Sequence, residues 1–260
     1  MQRILAIVLW LIAGCLSTHA HEYWLEADLV NANAKPAVAV RLFFGEDFSD
    51  GTEKPLQVGR TSQFILVSTG KKPKPLPKID GSKPLALITP PKTGTLLVAM
   101  ERSSGKTRFG RSRFIQFATD EGYRFSPNEP PLDTRSIYET HSRYLKTLVQ
   151  MNDRLSKPAL APVGHTYEIV PLIHPHTKNL QELTIRVLFR GKPAPGVKVR
   201  AEQRHHDRSK PQTLTTSADG TARIALAQKG DWLIRSVFIE KPISSPSDYQ
   251  SHWASLTFRY

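Results

Sequence analysis

The chain has 260 residues, with 36 lysines and arginines against 23 aspartates and glutamates, a formal net charge of +13 and a single cysteine. That cysteine, Cys15, lies in the leader, so the body has no disulfide, no thiolate metal site and no cysteine nucleophile. The charge suits anionic surfaces such as lipid or cell-wall polymer, but the lysines cluster in solvated loops such as Lys71-Lys72-Pro73-Lys74-Pro75, and no basic stripe with interleaved aromatics points to nucleic acid.

Met1–Ala20 reads as an export signal: a cation at Arg3, an apolar run Ile4–Gly14, then Ser17-Thr18-His19-Ala20 with small residues at its last and third-last positions, Ala20 and Thr18. Cleavage after Ala20 starts the mature chain at His21 and places it in the periplasm. Ile12-Ala13-Gly14-Cys15 also matches a lipoprotein box, whose use would anchor the chain at Cys15 and leave His21 internal. No later segment approaches the roughly 18 apolar residues expected of a membrane span.

The body reads as mostly strand. Row-like alternation from His21 through Tyr23, Leu25, Ala27 and Leu29 gives a first strand, followed by Val38–Phe44, Gln63–Val67, Pro84–Ile88, Thr93–Met100 and Arg113–Ala118. Ser136–Met151 reads as a helix: Ile137, Tyr144, Leu145 and Leu148 fall at near-helical spacing, Ser136 and Glu139 resemble a capping box, and Gly and Pro are absent. Seven short strands follow: His165–Val170, Leu183–Phe189, Val197–Gln203, Gln212–Thr216, Ala222–Leu226, Asp231–Phe238 and Ala254–Arg259. Turn signals at Gly191-Lys192-Pro193, Asp219-Gly220 and Lys229-Gly230 separate them, with Trp232 as a core anchor. The expected architecture is all-β: an antiparallel sandwich over residues 21–135, a connecting α-helix and linker over 136–161, and an immunoglobulin-like sandwich over 162–260.

Histidine carries the chemistry. A mature N-terminal His21 offers a free amine and an imidazole to one borderline metal such as copper or nickel. In His174-Pro175-His176, extended backbone turns both rings to one side. His252 begins the like-parity row Ala254, Leu256 and Phe258, either as a core histidine or as a ligand at the sandwich rim. His141 and His165 read as structural or exposed, and His205-His206-Asp207 as a solvated loop in a cationic setting. Glu46-Asp47 reads as a solvated turn. No G-x-S-x-G elbow, H-E-x-x-H or phosphate loop is present.

HEYWLE at 21–26, FFGEDF at 43–48, RFIQFATDEGY at 113–123, SRYLKTLVQM at 142–151, GHTYEIVPLIHP at 164–175 and the order of the segments beyond them form a pattern along the chain. In these motifs the chain resembles the exported bacterial proteins grouped as domain of unknown function 4198, some of them associated with periplasmic nickel or cobalt uptake. The resemblance implies a secreted β-rich protein handling a transition metal, and carries over only His21 as a functional residue. Where relatives hold a histidine near the end of the Trp232 strand, this chain has Phe238. The expected metal site is therefore His21 with one or two of His174, His176 and His252, and Glu22 or Glu26 orienting a ring. The expected function is a non-enzymatic carrier of Ni, Co or Cu, partnered by an uptake transporter or outer-membrane receptor. A copper-dependent oxidase and a metal-free adhesion module of the cell envelope are the alternatives.

Overall fold

A computed structural model describes residues 22–32, 35–131, 133–204, 211–226 and 228–260. The expected export signal with both candidate cleavage positions, His21, His205 and His206 lie outside these residues. The described strands are, in chain order, β1 (Glu22–Ala32), β2 (Lys35–Gly45), β3 (Thr52–Lys54), β4 (Thr61–Val67), β5 (Lys74–Pro75), β6 (Ala86–Ile88), β7 (Gly94–Gly110), β8 (Ser136–Met151), β9 (Tyr167–Pro171), β10 (Glu182–Phe189), β11 (Lys192–Pro193), β12 (Lys198–Gln203), β13 (Gln212–Thr215), β14 (Thr221–Ala225), β15 (Asp231–Glu240) and β16 (Tyr249–Arg259). The α-helix α1 (Arg111–Asp120) lies between β7 and β8, and 3-10 turns occur at Val58–Arg60 and Lys157–Leu160.

The all-β expectation holds, with the strands in three sheets. A central sheet runs β13-β12-β15-β16-β8-β7-β4-β5. One outer sheet is formed by β1, β2, β3 and β6, and the other by β9, β10, β11 and β14. Alternate residues of the central strands serve opposite cores. Leu96, Val98, Met100, Leu145 and Val149 pack against Leu25, Val38 and Val40 of the first outer sheet. Leu97, Ala99, Tyr144, Leu148, Ala254 and Leu256 pack against Tyr167, Ile169, Ile185 and Val187 of the second. Trp232 is buried in that second core, as expected of an anchor.

Two element assignments are corrected. The expected helix at 136–151 is the long strand β8, and the joint expected over 136–161 thus enters the middle of the central sheet. β8 is covered on both faces from Arg143 to Val149, which removes the alternation that marks a half-exposed strand. Tyr144 and Leu148 face one core and Leu145 the other, so their helix-like spacing comes from two different faces. Conversely, the expected strand at 113–118 lies in α1, whose Phe114, Phe117 and Ala118 form one buried stripe against Ile137, Val237 and Trp253. α1 closes with Gly122 in left-handed conformation (φ 90°). The Tyr123 amide donates to the Ala118 carbonyl at 2.8 Å and that of Gly122 to Thr119 at 2.9 Å, the paired bonds of a glycine C-terminal stop.

The Asp219-Gly220 turn needs its glycine for two reasons. Gly220 has φ 76°, and a Cβ there would lie 2.9 Å from the Val187 carbonyl oxygen and the Ala194 nitrogen. Gly220→Ala is expected to cost about 1–3 kcal/mol, read as a lower denaturant midpoint with unchanged slope. An unaltered midpoint would show that the β13–β14 turn relaxes freely.

Candidate functional site

Of the histidines expected to bind metal, His174, His176 and His252 are described, and they fall in two separate places. His174 and His176 share a corner, their ring centroids 5.5 Å apart, and the His174 ring is committed locally. His174 Nε2 meets the Thr95 hydroxyl at 2.9 Å, and its Nδ1 accepts from the His176 amide at 3.2 Å. His252 lies elsewhere, with Nε2 3.1 Å from Glu240 Oε1 and Nδ1 3.3 Å from the Tyr144 hydroxyl. In the ladders His252 stands opposite Ser142, whereas Thr95, which holds His174, stands opposite Gln150. Eight residues of extended β8 separate the two sites, about 26 Å. Burial lowers the proton affinity of all three rings, that of His176 to about 4 with His174 adding to the effect. His174 and His252 have hydrogen-bond partners at both ring nitrogens, whereas Nδ1 of His176 is buried with no hydrogen-bond partner among the described residues. Phe238 lies on the same face, packed on Phe189 at 4.4 Å between ring centroids.

A cleft of about 350 Å³ opens beside His176, with Glu26, Asp28, Asp231 and Arg259 in its wall. Its charges neutralise one another. Arg204 pairs with Glu26 and, at 3.4 Å, with Asp231. Arg259 Nε lies 2.6 Å from Asp231. Glu26 is thus held by Arg204 and by the Trp24 indole, which donates to it at 2.7 Å, and is not available to orient a histidine.

The unusual chemistry lies on the opposite face of the central sheet, between the start of β1 and α1. Glu22 is only 2% exposed, with Oε2 3.4 Å from Arg235. Arg235 in turn lies 2.6 Å from Glu202. Burial, partly offset by Arg235 and Arg143, pushes the Glu22 carboxyl up to about 7. Its Oε1 is buried without a hydrogen-bond partner among the described residues, as is Oε1 of Glu139 on β8. Burial also raises Glu139 to about 7, against a hydrogen bond from Ser251.

Two residues along β8 from Glu139, on the same face, is His141, its Nδ1 3.7 Å from Glu139 Oε2. Burial first, then Arg143, Arg60 and Arg102, push this imidazole down to about 3, so it stays neutral. The β7–β8 ladder shifts register here: Ser103 pairs with Ser142 but Lys106 with Thr140, leaving an extra β7 residue opposite His141. Such a bulge re-aims side chains next to it. Arg143, two residues on, has its guanidinium carbon 4.9 Å from the Tyr23 ring centroid and 5.3 Å from that of Trp253.

A sequence model of the domain of unknown function (DUF4198) matches residues 18–240. The chain belongs to this DUF4198 family. No curated protein matches the chain, and no solved structure does. Within this DUF4198 chain, HEYWLE contributes Glu22 and Tyr23 to the polar cluster, and RFIQFATDEGY forms α1 at its border. The helical reading of 136–151 separates the cluster residues Glu139, His141 and Arg143 from one another. Read as a strand, their i, i+2, i+4 spacing places all three on one face.

Proposed function

We propose that this protein is an exported carrier of a divalent transition metal, Ni, Co or Cu, bound by the amine and imidazole of His21 together with the imidazole of His141. The observation that carries this reading is the position of His141: a sheltered, neutral ring on the face where β1 begins with Glu22, the residue bonded to His21. Neutral imidazole is the form that coordinates. The partnerless buried oxygens of Glu22 and Glu139 fit a site that receives a cation or a protonated donor. Among the described residues no group of three histidine, cysteine or carboxylate side chains could hold an ion, so the reading requires His21. The bound metal supplies nothing catalytic in this reading. The protein would hand its cargo to an uptake transporter or outer-membrane receptor.

The test is calorimetric titration of Ni(II), Co(II) and Cu(II) into protein that starts at His21. Affinity is expected to be micromolar or tighter for at least one metal. Adding one residue before His21, or making His141→Ala, is expected to weaken it about 100-fold or more, beyond the usual loss of a supporting contact. His174→Ala and His252→Ala should leave it unchanged. Equal affinity in the native, extended and His141→Ala proteins would overturn the proposal.

A further inference from the structure

Among the described residues β1 is an edge strand, paired with β2 alone. Two contacts fix which of its backbone groups face the bare edge. The Leu25 carbonyl accepts from the Thr257 hydroxyl of the central sheet at 2.6 Å. The Val40 carbonyl, opposite Ala27 in the ladder, accepts from the Leu85 amide at 2.8 Å, on the side of β2 where β6 pairs and away from β1. Antiparallel pairs alternate between those that exchange hydrogen bonds and those that do not, so Leu25, Ala27 and Leu29 turn their N–H and C=O away from β2. Beyond the Thr257 contact this edge meets the cleft of about 350 Å³, whose wall includes Ala27, Asp28 and Leu29. Ligand pockets span roughly 300–1,000 Å³. The other side of the cleft is a split in the central sheet. The β8–β16 pairing ends at Thr147 and Thr257, although β8 runs on to Met151 and β16 to Arg259, and residues 148–150, 258 and 259 line the gap. The β1 row that faces the first core loses its cover here: Leu25 is fully buried, Ala27 partly so, and Leu29 is 57% exposed.

We propose that the cleft takes an extended, uncharged internal segment of a partner protein, added as a strand beside β1 at Ala27 and Leu29. A bare strand edge is matched by backbone of the same kind, with hydrogen bonds giving affinity and alternate side chains giving specificity. An apolar side chain of the segment covers Leu29, and about three residues, ~10 Å of extended chain, fill the edge. The charge of the wall selects the segment. Three carboxylates, Glu26, Asp28 and Asp231, meet three guanidiniums, Arg41, Arg204 and Arg259. A charged ligand gains one partner there only by displacing another. The ends of a short free peptide carry such charges and the interior of a chain does not. The inference stands apart from the metal reading, because neither His21 nor a metal takes part in it.

Calorimetric titration of the peptide Thr-Val-Thr-Val-Thr, acetylated and amidated at its ends, into chelator-treated protein tests this. A Kd of about 1 mM or tighter is expected, the affinity of a few net hydrogen bonds. The same peptide with free, charged ends should bind several-fold more weakly. Two further peptides carry N-methyl groups on the valine amides or on the threonine amides. Successive amides of a strand point to opposite edges, so one of these sets is expected to lose about tenfold or more and the other to bind nearly as the parent does. Leu29→Pro removes one N–H from the bare edge, a place where strands accept proline, and is expected to weaken the blocked peptide about tenfold. Should Leu29→Pro fail to fold by circular dichroism, the methylated peptides on the native protein decide the matter. No binding of the blocked peptide, equal behaviour of the two methylated sets, or undiminished binding to folded Leu29→Pro overturns the proposal. Tighter binding of the free-ended peptide overturns it too, since a free peptide is then the better ligand.

Discussion

Lys146→Ala is expected to destabilise the protein by about 3–5 kcal/mol, the cost of removing one partner of a buried ion pair. Lys146 and Glu168 are both about 1% exposed, and their charged atoms lie 2.8 Å apart inside the second core. Burial lowers the lysine's proton affinity, and Glu168 is the influence that opposes this. Glu168 is also tied to the backbone, accepting from the Val163 amide at 2.8 Å and the Gly164 amide at 3.2 Å. Losing the ammonium leaves that carboxylate uncompensated between two sheets. Lys146→Met with Glu168→Gln removes both charges and keeps a carbonyl for the nearer amide, that of Val163, so the double variant is expected to recover much of the loss. Denaturant unfolding of the three proteins reads this directly. A loss below about 1 kcal/mol for Lys146→Ala would show that water reaches the pair.

Acid is expected to unfold the protein well before its carboxylates are fully protonated. Burial holds His165 and His176 down to about 4 and lowers His174 and His252, whereas an unfolded histidine takes a proton near 6.5. Between those values the unfolded chain binds more protons than the native one, so stability falls as pH falls through the unfolded value toward the folded ones. Each such ring contributes on the order of 1 kcal/mol per pH unit within its window. Glu22 and Glu139 act in the other direction: raised to about 7 when folded, they favour the native state as pH drops from 7 toward the unfolded carboxylate range. The histidines outnumber them. The melting midpoint in chelator-containing buffer should therefore drop from pH 7 to 5, then more steeply below the carboxylate range. His165→Gln, replacing a ring whose Nε2 lies 3.1 Å from the Gln63 side-chain oxygen, should flatten the slope. A midpoint level between pH 7 and 4 would refute this account.

What the sequence made legible was the class of structure and most strand positions, because half-covered strands such as β10 alternate plainly. Leu183, Ile185 and Val187 are buried, with more exposed residues between them. What it hid follows from burial on two sides. β8 carries apolar, cationic and acidic residues in succession because each face meets a different neighbour, and only partners distant in sequence explain Lys146 or Arg143. α1 was hidden for a simpler reason: its ten residues begin with no side-chain cap, and the one strong local sign, the glycine at 122, marks its end. The site was legible in its types but not in its geometry. His174 and His176 do come together, as their spacing implied, with His174 bonded to Thr95 and to the His176 amide. A helix at 136–151 would turn His141 away from Glu139 and Arg143, whereas the strand places all three on one face.

The parallel pairing of β16 with β8 has a consequence for the order in which the molecule can be built. β15 and β8 are not neighbours in the central sheet, because residues 249–259 lie between them. Until that segment has been synthesised, the β13-β12-β15 ribbon and the β8-β7-β4-β5 ribbon exist only as separate pieces, each with a bare edge that another chain can occupy. Joining them closes a loop from Glu139 to Tyr249, a distant pairing of the kind that slows folding. A nascent chain halted before residue 249 is therefore a chain with two sticky borders, and chaperone capture of such intermediates should cease once β16 is inserted.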